Sequence, residues 1–224
     1  MDFRIISIGA LSHHELWEET AATRTAHATC TLIRSHDRVI VVDPGLPAVA
    51  LAPRLKERSG LSPDKVTDVF VTNFRPAHRR GVDAFPNARW LIAETERETV
   101  GRMLVERFQQ ESEEPARRLL QEEIALLRRF QNAPDQLAPH VDLFPLPGYT
   151  PGNCGLVLSH PTYTAVIASD AVATVEHLEF GRVLPGCYDL QAAQESFREA
   201  IEIADIIVPG HDNIILNATR PRSA

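Results

Sequence analysis

Residues 72–81 read T-N-F-R-P-A-H-R-R-G. They follow the apolar run Val69-Phe70-Val71 and lead toward Val82. An apolar run ending in polar residues and a glycine is a strand feeding a loop. The loop carries Asn73, Arg75, Ala77 and His78, so its reading decides both what kind of fold surrounds it and what chemistry it supports.

Working outward, residues 66–71 are the strand before the loop and residues 89–93 (R-W-L-I-A) a short strand after it. Upstream, residues 3–8, 27–34 and 38–42 have strand character. The last of these, R-V-I-V-V, stops at Asp43-Pro44-Gly45, a turn signal. Residues 47–58 place Val49, Leu51 and Leu55 at helical spacing before Gly60 and Pro63. Residues 94–132 are charged and helix-favouring, with one apolar seam at Val100, Met103, Leu104 and Phe108 and a second around Leu119, Leu120, Ile124, Leu127 and Phe130. Pro115 and the acidic run before it separate the seams, which predicts a helical hairpin serving as a cover, a lid or a surface for homo-oligomers. Strands return at 141–145, 154–159 and 163–168, then a helix at 191–204 and a strand at 206–208 that ends in Pro209-Gly210-His211. This order suits two sheets packed face to face with helices outside, in one domain over residues 1–224.

The formal net charge of -7 argues against a nucleic-acid surface, which needs clustered Lys and Arg. No apolar stretch reaches membrane-spanning length, and the start M-D-F-R-I-I-S reads as a strand rather than a leader. Cys30, Cys154 and Cys187 are odd in number and far apart, which points to free thiols in a reducing, cytoplasmic setting. No G-x-S-x-G elbow, phosphate-binding loop or dinucleotide fingerprint is present.

Four landmarks now stand in order: Asp43-Pro44-Gly45, the 72–81 loop, L-P-G-Y-T-P-G at 146–152, and Ser169-Asp170 followed by Pro209-Gly210-His211. Together they resemble the metallo-β-lactamase superfamily, whose signature loop is T-H-x-H-x-D-H-x-x-G. The resemblance spans nearly the whole chain. It implies a four-layer αββα sandwich, with residues 94–132 as a helical insertion, and a site where two metals share a carboxylate and activate water against esters, thioesters or lactones.

Carried over position by position, the resemblance puts Asn73, Arg75 and Tyr149 where the first metal's three histidines stand. Asn is a poor transition-metal ligand and Arg none at all, so the first metal is expected to be lost. Ala77 replaces the acidic ligand of the second site, but His78, the shared Asp170 and His211 remain. Two histidines and a carboxylate form a sensible three-ligand set for one zinc or iron(II) ion. Arg75 is expected to project into the vacated first position and cap Asp170 as a bidentate partner. Asp43 is read as a brace for the loop. His13 and His14 are read as solvated loop residues, with Trp17 beside them, and His177 has no metal spacing. The reading is a hydrolase-like protein with at most one metal, acting on a small ester, lactone or thioester. Its alternative is a non-catalytic member, without metal, that binds a small molecule or regulates.

Overall fold

The strands alternate between two apolar environments, and that alternation builds the layers. In β3 (Arg38–Val42), Val39 and Val41 face one side while Ile40 and Val42 face the other. In β4 (Asp68–Val71), Val69 and Val71 pair with the first side and Phe70 with the second. Period-two alternation with both faces apolar marks strands buried on both sides.

In this computed structural model, which describes residues 1–217, two six-stranded sheets form. The first runs β1 (Asp2–Ser7), β2 (Cys30–Ser35), β3, β4, β5 (Arg89–Ile92) and β6 (Gln131–Asn132) in spatial order. β1 to β3 are antiparallel, and β3 to β6 are parallel. The second contains β7 (Gln136–Ala138), β8 (Val141–Pro145), β9 (Cys154–His160), β10 (Tyr163–Ser169), β11 (Ile206–Pro209) and β12 (Ile215–Leu216), again as spatial neighbours. Its one parallel pair is β10 with β11.

Three apolar clusters fill the gaps between layers. Ile40, Val42, Phe70 and Leu91 meet Leu156, Leu158, Ile167 and Val208 between the sheets. Truncating a fully buried side chain such as Phe70 costs about 3–5 kcal/mol. On the outer face of the first sheet, Val41, Val69 and Trp90 receive Leu51 and Leu55 from α1 (Ala48–Ser59). The same cluster receives Leu104 from α3 (Glu94–Gln110) and Leu120 and Leu127 from α4 (Glu114–Leu127). A four-residue turn, α2 (Pro76–Arg79), lies within the signature loop, and α5 (Val175–Phe180) follows β10. On the outer face of the second sheet, Val166, Ala168 and Ile207 meet Phe197 and Ala200 of α6 (Leu190–Ile203). The result is the expected αββα order.

The expected elements mostly hold, with shifts that have causes. The helical region does not continue to residue 132: α4 stops at Leu127 and residues 131–132 join the first sheet as its edge. Pro115 does not separate the two helices but opens the second, where its missing N–H costs nothing. Leu104, Leu120 and Leu127 turn inward, so the hairpin covers the sheet. Among the described residues, no helix is long and apolar enough to cross a membrane.

Candidate metal centre and its cleft

The chemistry-bearing residues arrive at one edge of the sandwich because of strand direction. Asp43 follows β3 and the 72–81 loop follows β4, a parallel pair. Asp170 follows β10 and His211 follows β11, the parallel pair of the second sheet. Loops beyond the carboxyl ends of parallel strands are where layered α/β folds gather ligands. Gly45 lets the loops approach: a Cβ there would sit 2.2 Å from the Ala77 carbonyl oxygen.

Asp43 braces the signature loop as expected. Its Oδ1 accepts the Thr72 N–H at 2.8 Å and its Oδ2 the Thr72 hydroxyl at 2.7 Å. Oδ2 also lies 3.0 Å from His78 Nδ1. The other ring nitrogen, His78 Nε2, is 2.9 Å from Asp170 Oδ2. His78 is thus clamped between two carboxylates at 1% exposure. Burial opposes a charge on its ring, yet Asp170 and Asp43 outweigh burial and raise its pKa to about 10. His211 sits on the opposite oxygen, with Nε2 2.9 Å from Asp170 Oδ1 and Nδ1 3.1 Å from the His27 carbonyl. Burial alone would raise the Asp170 pKa; the two histidines hold it far below the ordinary carboxylate range instead.

This donor set fits one divalent cation. Ligand atoms of His78, Asp170 and His211 all lie within 4.8 Å of one another. Each histidine commits Nδ1 to an oxygen acceptor, which leaves Nε2 facing the shared carboxylate. That outer hydrogen bond is what orients imidazole ligands in metal sites. A divalent ion among the three groups would take the place of the two direct Nε2–Asp170 contacts. Asn73, Arg75 and Tyr149 offer no comparable set for a second ion.

Arg75 departs from expectation. It does not cap Asp170: its guanidinium stacks over the Tyr149 ring, 4.2 Å from the centroid. Among the described residues, no ion pair joins it to an acid. The reason lies two residues earlier. Fully buried Asn73 donates from Nδ2 to Asp170 Oδ2 at 2.8 Å, so the carboxylate is already met by Asn73, His78 and His211. Asn73 cannot usefully flip its amide. Nδ2 also donates to Asn153 Oδ1 at 3.0 Å, while Oδ1 accepts the Arg75 N–H at 3.0 Å. Half-buried Tyr149 keeps a neutral phenol, since burial first and Asp170 next push its pKa up to about 12.

A cleft of about 400 Å³ opens over this group, lined by His78, Asp170, His211, Arg75, Ala77 and Tyr149 among others. The small Ala77 side chain leaves room where an acidic ligand would stand. Two supporting residues, Glu96 and Asn153, escaped the sequence reading, and His177 figures there only as a histidine without metal spacing. Buried Glu96 accepts the Phe74 N–H at 3.0 Å and the Gly152 N–H at 2.9 Å, so it ties the signature loop to the 146–152 turn; burial raises its pKa. Asn153 donates to the Leu146 carbonyl at 3.0 Å while receiving Asn73. His177, also on the cleft wall, takes its tautomer from Thr174: that hydroxyl donates to Glu176 Oε2 at 2.8 Å and so accepts from His177 Nδ1 at 2.9 Å. Nε2 is left bare, buried and unpartnered among the described residues. His14 is not solvated either. It is 2% exposed and stacks on Trp17 at 4.2 Å.

The sequence profile of the metallo-beta-lactamase superfamily matches residues 24–211. The chain belongs to this superfamily. Solved structures of similar shape agree. A metallo-β-lactamase-type protein from Thermotoga maritima superposes with a TM-score of 0.69 at 17% identity, covering 96% of this chain and 98% of its own. An AiiA variant from B. thuringiensis, solved with N-decanoyl-L-homoserine at its active site, gives 0.64 at 20% identity over 94% and 92%. AidC, a dizinc quorum-quenching lactonase, gives 0.63 at 20% identity over 78% and 67%. At these identities the likeness establishes the metallo-β-lactamase fold alone. No curated protein matches the sequence.

Proposed function

We propose that this metallo-β-lactamase-fold protein is a hydrolase for a small ester, lactone or thioester, working with one divalent ion, zinc or iron, held by His78, Asp170 and His211. The observation that carries the reading is the convergence of two oriented imidazoles and one carboxylate at the floor of an open cleft. Bound there, the ion would polarise a carbonyl or a water molecule. The chain's own residues do the rest. Asp43 and the His27 carbonyl fix the two rings, Asn73 fixes Asp170, and the Arg75–Tyr149 stack walls the cleft. AidC, a lactonase, was solved with a product, N-hexnoyl-L-homoserine, and the AiiA variant with N-decanoyl-L-homoserine at its active site, which favours a lactone or another small acyl compound.

A second reading, a non-catalytic binding protein, is favoured by one observation: the Asn73 amide donates to Asp170, and Arg75 and Tyr149 pack together where the family's first metal is held. Turnover separates the two. Zinc- or iron-loaded protein assayed on a panel of small esters, lactones and thioesters is expected to hydrolyse at least one class, with activity at least about a hundredfold lower in Asp170→Asn. Fully loaded protein that hydrolyses nothing on the panel leaves the binding reading standing.

A further inference from the structure

Arg75 is the residue of the signature loop that the metal centre leaves unused. Its position is unusual for an arginine. It lines the cleft above Asp170, and with Pro76 and Tyr149 it also lines a second cleft of about 370 Å³ toward α3. Its guanidinium carbon lies over the Tyr149 ring, 4.2 Å from the centroid. That contact leaves the N–H groups of the fork free. Among the described residues, no protein oxygen accepts from them. A second guanidinium, Arg80, lines the same cleft; it donates once, to the Ala26 carbonyl at 3.2 Å, and meets no acid. Of the acids on the cleft wall, Asp170 is engaged by His78, His211 and Asn73, and Glu15 is exposed. In a chain of net charge -7, this cleft presents two exposed guanidiniums, neither paired with an acid among the described residues.

We propose that Arg75, supported by Arg80, is a carboxylate-recognition site: the ligand is a small acyl compound that carries a free carboxylate besides the group at the metal centre. A planar guanidinium with its edge free matches a carboxylate bidentately, whereas a lysine would offer only a point charge. Stacking on Tyr149 preorganises the fork, so less rotamer entropy is lost on binding. This inference rests on the hydrolase reading only for the identity of the second group; the carboxylate contact itself needs no metal.

The test uses matched, non-ester probes that differ in one charge. Succinamate and glutaramate are anionic, and their diamides, succinamide and glutaramide, are neutral. Binding of each to the full chain is measured by calorimetry, in zinc-loaded and in chelator-treated protein. One anionic probe is expected to bind at least about tenfold more tightly than its diamide in both preparations. Arg75→Gln should abolish the preference, and Arg75→Lys should restore part of it. Equal binding of all probes, binding of none, or a preference that survives Arg75→Gln overturns the proposal. A preference that vanishes on chelation overturns it too, because the carboxylate was then on the metal. Failure of the hydrolase reading looks different: the charge preference stays in the metal-free protein while loaded protein turns nothing over.

Discussion

His177 shows how a single residue reports on the site's surroundings. Burial first, then the neighbouring His14 and His211, lowers its pKa to about 4 from 6.5; Glu176 opposes them. Between those values the unfolded chain takes up a proton that the folded chain refuses, so stability is lost as pH falls from about 6.5 to 4. The loss attributable to this ring is at most about 3 kcal/mol. His177→Phe removes the titrating group, and chemical denaturation of the variant is expected to depend less on pH across that window. Parallel stability curves for the two proteins would show that the ring carries no such burden. At this scale the sequence was legible where letters alone decide. His78, Asp170 and His211 were readable from their landmarks, and so was the Asp43 brace. The partner of Arg75 was not, because a position in a motif does not specify a rotamer. Asp170 had several candidate donors, and buried Asn73 fills that role.

Among the elements, α3, the signature loop and the 146–152 turn meet at a close junction. Gly152 packs against the first turn of α3: a Cβ there would meet the Glu96 backbone nitrogen at 2.2 Å, while Glu96 holds both loops through its carboxylate. Gly60 is a useful contrast. It ends α1 with φ +73 and has nothing within 4 Å of an added Cβ. Gly60→Ala should therefore cost about 1–2 kcal/mol in backbone strain. Gly152→Ala must displace backbone as well and should cost more, about 3 kcal/mol or beyond. Urea midpoints rank the two, and a Gly152→Ala protein as stable as Gly60→Ala would show that the junction yields easily. Such contacts were invisible beforehand because they join residues far apart, 56 positions for Glu96 with Gly152 and 80 for Asn73 with Asn153. Short β-rich runs such as β3 and β8 could be read from their residue types. The six-residue α5, and β12 with two residues, offer too few positions for a period to show.

For the molecule as a whole, two sheets with helices outside bring four strand ends to one edge. Fold and site chemistry rest on different evidence: the layers follow from apolar alternation, whereas the proposed metal centre depends on a handful of letters. The proposed hydrolase stands on one ion held by His78, Asp170 and His211. Elemental analysis of protein purified without chelators and supplied with zinc or iron, beside a His211→Ala variant, measures it. About one ion per chain is expected in the wild type and none retained by the variant. A wild-type protein that keeps no metal after supplementation, or a variant that keeps as much as the wild type, would contradict it.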